Sequence, residues 1–263
     1  KAFKEKPKSS IAVALKDHKK DKIQGFVSAG NTGAVMLSSA VLLGRLEGIT
    51  KPAIGAILPS KNNAGKVLLI DAGANVDVKA RNLLEFAVMG GLYLQYIDEI
   101  RKPKIGLLSI GEEKEKGNRL THKAYELLKE NLVNFVGNVE GRDIVDGTAD
   151  IILADGFIGN IILKHTEAIA EYLFSTFQGF VKKSLRTKLG IGLFYKEMKS
   201  FKKKFDYAEY GGAPLLGLNG NVIICHGISN NVAIKHAILF VKKLYEKKLN
   251  KKIEKQLQEI DKK

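Results

Sequence analysis

Only one cysteine, Cys225, occurs in the sequence. That excludes an intramolecular disulfide framework and a cysteine-rich zinc site, and it fits a reducing cytosol. No continuous apolar run reaches the length needed to cross a bilayer, and no signal-peptide pattern is present. Arginine is scarce, limited to Arg45, Arg81, Arg101, Arg119, Arg142 and Arg186. Base reading favours arginine forks, so no nucleic-acid partner is expected. The phosphate loop G-x-x-x-x-G-K-[ST], the dinucleotide fingerprint G-x-G-x-x-G, H-E-x-x-H and the G-x-S-x-G elbow are all missing. His18, His122, His165, His226 and His236 are scattered, so no metal site is expected. Covalent catalysis has no evident nucleophile.

What is present in excess is positive charge. The 263 residues carry a formal net charge of +15, supplied mostly by lysine. This describes either a solvated lysine-rich surface or attraction to an acidic protein, an anionic membrane or phosphate. With 45% hydrophobic residues the chain can bury a sizeable core. It begins at Lys1 rather than Met, so some N-terminal sequence is expected to be missing.

Patterning predicts a basic helix over 3–20, a short strand in "GFVSAG" and a helix over 32–44. Buried strands follow in "AIGAIL" and, after an "NNAG" turn, "KVLLIDAGAN". A long apolar helix spans 79–98, and "KIGLLSIG" is a strand with a helix after it from about 120 to 130. "VNFVGNVEGRD" and "ADIILADGFIGN" each run from strand to loop, and a helix starts near Asn160. Residues 160–205 exceed one crossover helix, and "GIG" at 190–192 divides them into a helical hairpin. "VIICHG" is the last strand, and the lysine-rich tail reads as a solvated helix. Continuous apolar strands alternating with helices predict an α/β chain: a mostly parallel, doubly wound sheet with helices on both faces. Ligands then bind beyond the strand carboxyl ends.

Five polar loops are expected at that end. "SAGNTG" (28–33) combines two glycines with an Asn-Thr pair able to cap a helix and present donors to an anion. "DAGANVD" (71–77) places Asp71 and Asp77 around a glycine turn, to hold a cation or to cap Asn75 and the next helix. "SIGEEKEKGN" (109–118), "GNVEGRD" (137–143) and "DGFIGN" (155–160) complete the set. Each alone is turn chemistry. Five together indicate a polar anion-binding cleft.

The loops "VSAGNTGAVM", "DAGANVD", "GLLSIGEEKEKGN", "NFVGNVEGRD", "DGFIGNIILK" and "AEYGGAPLLGLNG" closely resemble those of the bacterial phosphate acyltransferases, from about residue 10 to 245. The resemblance implies transfer of a fatty acyl group from acyl-acyl-carrier-protein to inorganic phosphate at the start of phospholipid synthesis, with no cofactor. It also implies a fold similar to the isocitrate and isopropylmalate dehydrogenases, and a homodimer. The chain is then a single catalytic domain over 1–263 that lacks the family's N-terminal segment, with a hairpin insertion at 160–205. One departure is Ile228 in "CHGIS", where members tend to carry a small or polar residue.

For this reaction the oxygen of phosphate is the nucleophile, and the protein holds the dianion, stabilises the oxyanion and assists thiolate departure. The residues expected to bind substrate are Ser28, Gly30, Asn31, Thr32, Gly33, Asp71, Asn75, Asn138 and Glu140. Lys116 is expected to neutralise charge and Asn160 to donate to the oxyanion. His226 is expected either as acid or base or as a capping residue. Residues 177–205 mix apolar side chains with nine Lys or Arg. They read either as a packed hairpin or as an anionic-membrane contact tipped by Leu193 and Phe194, which would place a cytoplasmic enzyme near a downstream membrane acyltransferase. The competing expectations are a coenzyme A-dependent acetyl or butyryl transferase, and a non-catalytic basic scaffold.

Overall fold

The computed structural model describes residues 6, 8–181, 192, 194, 196–198, 201 and 211–262. In chain order the elements are α1 (Ser10–Lys19), β1 (Phe26–Ser28), α2 (Thr32–Leu42), β2 (Ala53–Pro59), β3 (Lys66–Ile70) and α3 (Ala80–Tyr96). There follow β4 (Ile105–Leu108), α4 (Arg119–Asn131), β5 (Phe135–Val139), α5 (Gly141–Asp146), β6 (Ile151–Leu153) and α6 (Gly156–Val181). The chain closes with β7 (Ala213–Leu216), β8 (Val222–Ile224), α7 (Asn231–Glu246) and α8 (Leu249–Asp261).

The strands form one mixed eight-stranded sheet in the order β1-β8-β7-β2-β3-β6-β4-β5. Pairings β3–β6, β6–β4, β4–β5 and β1–β8 are parallel. Pairings β2–β3, β2–β7 and β7–β8 are antiparallel, so four of the seven pairings follow the mostly parallel expectation and the sheet as a whole is mixed. The reason is connection length. A parallel pair needs a crossover of a dozen or more residues. The turns at 60–65 and 217–221 are too short for one, so β2–β3 and β7–β8 close as hairpins.

Three reversals between β3 and β8 leave β1 and β8 pointing against β3, β4, β5 and β6. The "SAGNTG" loop therefore leaves the sheet in the opposite sense to the other four loops, not from the same end.

Helices cover both faces, as the apolar strands demanded. Along β2 and β3, Ile54, Ala56, Leu58, Val67 and Leu69 face one core, shared with α1, α2 and α5. Ala53, Leu68 and Ile70 face the other, shared with α3, α4, α7 and α8. The lysine-rich tail is not fully solvated. In α8, Leu249, Ile253 and Leu257 recur on one stripe and are buried against α3.

Two boundaries shift. The first helix begins at Ser10, where the Ser9 hydroxyl accepts from the Ala12 amide; residues 3–5 lie outside the described residues. The helix expected near Asn160 begins at Gly156, because the Asp155 carboxylate accepts from the Ile158 amide at 2.8 Å and caps its first turn. Asn160 therefore sits one turn inside α6. His18 is a structural histidine: its Nε2 accepts from the Asn221 amide at 3.0 Å, which leaves Nδ1 to donate to the Ile23 carbonyl at 2.9 Å.

Candidate functional site

The loop after β3 is built around Asp71, which is fully buried. Its Oδ1 accepts from the amides of Ile54, Gly73 and Ala74 at 3.1, 3.1 and 2.8 Å. Its Oδ2 accepts from the amide and the side-chain Nδ2 of Asn75, both at 2.8 Å. Burial pushes the carboxyl above the usual aspartate range, against the opposite pull of these donors. With both oxygens occupied by N–H groups, Asp71 has no lone pair directed at a cation. Asn75 also donates to the Pro52 carbonyl at 2.7 Å. Both residues thus shape the loop from beneath.

The start of α6 lies directly on this loop. A β-carbon at Gly156 would fall 2.6 Å from the Asn75 oxygen, and the Asn160 side chain lies over Gly73. The glycines of "DGFIGN" thus permit backbone-to-backbone packing that brings Asn160 to the rim of a cavity of about 190 Å³. Thr32, Gly73, Lys164, Glu167, Cys225 and His226 line the same cavity.

The residues reach it from opposite strand ends. Thr32 opens α2, where the Asn31 side chain caps the Ala34 amide at 2.9 Å and the Ser28 hydroxyl accepts from Gly30 at 3.2 Å. Among the described residues, the Thr32 and Gly33 amides at this helix N-terminus have no backbone or side-chain acceptor, the arrangement that receives anions. His226 follows β8 and is exposed. Its Nδ1 accepts from the Ile228 amide at 3.3 Å, so the neutral ring carries its proton on Nε2. Burial pushes the Cys225 thiol up, which keeps it protonated and unsuited to nucleophilic attack.

Lys164 and Glu167, an ion pair at 2.7 Å, were not singled out by sequence. Their signal was there: 160, 164 and 167 recur at helical spacing, and a helix start placed at Gly156 would have put them on one face.

Lys116, Asn138 and Glu140 do not line this cavity. Lys116 is exposed in the charged loop after β4, where its carbonyl accepts from the Ser109 hydroxyl at 3.2 Å. Asn138 is buried and donates to the Glu113 carbonyl at 2.9 Å. The Glu140 amide donates to Asp143 at 2.7 Å, and its carboxylate pairs with Arg142 at 3.0 Å. These residues order the loop beside a second cavity of about 400 Å³, at the carboxyl ends of β4 and β6. Of the expected membrane tip, Phe194 is exposed and Leu193 lies outside the described residues. No described helix is long and apolar enough to cross a membrane. Among the described residues, no cluster of three or more His, Cys, Asp or Glu is arranged to hold a metal ion.

A family model described as fatty acid synthesis protein matches residues 1–252. The phosphate acyltransferase of Halothermothrix orenii is 50% identical over 250 residues, covering 94% of this chain and 74% of that protein. That of Dictyoglomus turgidum is 49% identical over 254 residues, covering 96% and 75%. The solved phosphotransacetylase from Streptococcus pyogenes superposes with a TM-score of 0.59 over 88% of this chain and 66% of its own, at 19% identity, which shows a common fold. The chain thus spans about three quarters of the length of the two sequence relatives and just under two thirds of the solved one. With half of its residues shared over nearly its whole length, the chain belongs to the phosphate acyltransferase family of fatty acid synthesis proteins.

Proposed function

We propose that this chain transfers a fatty acyl group from an acyl-carrier-protein thioester to inorganic phosphate, releasing acyl phosphate for phospholipid synthesis. One observation carries the reading: a single cavity gathers a helix N-terminus open to an anion, a lysine, an amide and an imidazole. Phosphate sits at the Thr32 and Gly33 amides with Lys164 as counter-charge. Its oxygen attacks the thioester carbonyl, and the Asn160 amide donates to the oxyanion as it forms. The C–S bond then breaks, the proton carried by the attacking hydrogen phosphate passes to the departing thiolate, and the His226 Nε2–H donates a hydrogen bond to that sulfur as charge builds on it. Lys116, on the neighbouring charged loop, neutralises charge on the donor side.

The same reading makes residues 1–263 one catalytic domain with an isocitrate dehydrogenase-like sheet, working as a homodimer in the cytoplasm. The basic segment 177–205 rests on anionic membrane beside a membrane acyltransferase that consumes the product. Likeness to a solved phosphotransacetylase keeps coenzyme A thioesters as the second donor class.

The test is acyl phosphate formation, trapped as hydroxamate, from palmitoyl-acyl-carrier-protein and from palmitoyl-coenzyme A, with and without phosphate. Phosphate-dependent product from the carrier protein is expected. Equal use of both thioesters would favour the coenzyme A reading, and no phosphate dependence would sink the proposal.

A further inference from the structure

We propose that the second cavity, on the far side of α6, holds the alkyl chain of the acyl donor; this subsite rests on the acyl-transfer reading above. Its volume of about 400 Å³ lies within the range of small-molecule pockets. Leu107, Leu108, Leu120, Leu153, Ile158 and Ile162 supply its walls. Among the described residues no Lys, Arg or His lines it, and Asp155 is its only charged side chain. An anion therefore finds no counter-charge there.

Four side-chain oxygens on the rim, those of Ser109, Asn118, Thr121 and one of Asp155, are already committed. The Ser109 hydroxyl donates to the Lys116 carbonyl, and the Asn118 side chain accepts from Leu120 and Thr121. The Thr121 hydroxyl bonds the Asn118 backbone, and Asp155 caps Ile158. What remains is apolar wall, which suits a hydrocarbon.

Position ties this cavity to the first. At 100° per residue, Ile158 and Ile162 stand on the opposite side of α6 from Asn160, Lys164 and Glu167. Between those two sides, on the outward face, Phe157 and Ile161 are 56% and 51% exposed. A thioester with its carbonyl at Asn160 runs its chain over these two side chains and down onto Ile158 and Ile162. Ile158 and Ile162 thereby set the chain length the enzyme accepts.

The chain contains no tryptophan, so Ile158→Trp gives a single tryptophan, excited apart from the tyrosines, at a side chain 41% exposed on the cavity wall. Titration with palmitate should shift its emission to the blue and saturate. Laurate should bind on the order of 10²-fold more weakly, at about fourfold per methylene removed. Inorganic phosphate and pantetheine should leave the emission unchanged. Ile110→Trp, at a position 80% exposed, repeats the titration without disturbing a packed residue. In turnover, Ile162→Trp should lower kcat/KM at least tenfold more for a palmitoyl than for an octanoyl donor. Pantetheine responding in place of alkyl chains would overturn the proposal, as would a chain-length profile unchanged by Ile162→Trp. Alkyl binding in a protein that forms no acyl phosphate from any thioester would keep the subsite and sink the acyl-transfer reading instead.

Discussion

Gly159 and Asp71 meet so closely that a β-carbon on Gly159 would stand 1.9 Å from the Asp71 carbonyl oxygen. This contact locks the start of α6 onto the loop after β3 and so sets the position of Asn160. Gly159→Ala must push the two apart, at a cost of about 1–3 kcal/mol or more. Gly91, in the interior of α3, has nothing near its missing β-carbon. Gly91→Ala should stabilise by about 0.5–1 kcal/mol. Urea unfolding of the two variants should move in opposite directions; equal midpoints would deny the tight contact.

Asp71 organises four backbone amides through one side chain. Its replacement by Ala leaves those donors without their acceptor. Each buried orphan costs about 1–3 kcal/mol, so a loss on the order of 3 kcal/mol or more is expected. Activity should fall with it, since Gly73 and Asn160 lose their common support. A variant of wild-type stability would show that water replaces the carboxylate.

Acid should act through Asp143. The Thr148 hydroxyl holds its carboxyl below the usual aspartate range, helped by the Glu140 amide and the Arg142 charge. A depressed folded value means the unfolded chain takes the proton first as pH falls. The stability it contributes is therefore complete above about pH 4, the ordinary aspartate value, and disappears as pH drops through the folded value. Thermal melts of Asp143→Asn should show a lower midpoint at neutral pH and a shallower decline in acid. A parallel curve would remove Asp143 from the acid response.

Asn160→Ala should reduce kcat on the order of 10²-fold with little change in melting, the usual cost of one lost oxyanion donor. Lys164→Ala should mainly raise KM for phosphate, and Lys164→Arg should recover part of it. Lys116→Ala separates the two lysines: an unchanged rate would leave Lys164 as the working cation.

Donor charge gives a further handle. Acyl-carrier proteins are acidic, and this chain carries +15. Turnover at low carrier-protein concentration should fall steeply as salt rises toward physiological strength, where screening acts over about 8 Å. Salt-independent turnover would remove steering by the basic surface.

By itself the sequence determined whatever depends on neighbours along the chain. Asn31 and Asn118 cap helices because an Asx side chain reaches amides two or three residues on. Helices cover both faces because strands apolar at every position need cover on both sides. Six polar loop motifs in fixed order carried the family. Tertiary structure decided strand direction and which loops share a cavity. Apolar content is the same for parallel and antiparallel strands, so it was the two hairpins at 60–65 and 217–221 together with the antiparallel β2–β7 pairing that reversed β1 and β8. That reversal brings Thr32 and His226 from one strand end to face Gly73 and Asn160 from the other. The carboxylate of Asp71 and the bare backbone of Gly159 then set how far α6 advances over the loop. Lys164 thus lines the cavity while Lys116 stands beside its neighbour, a choice made by packing at distances no local pattern encodes.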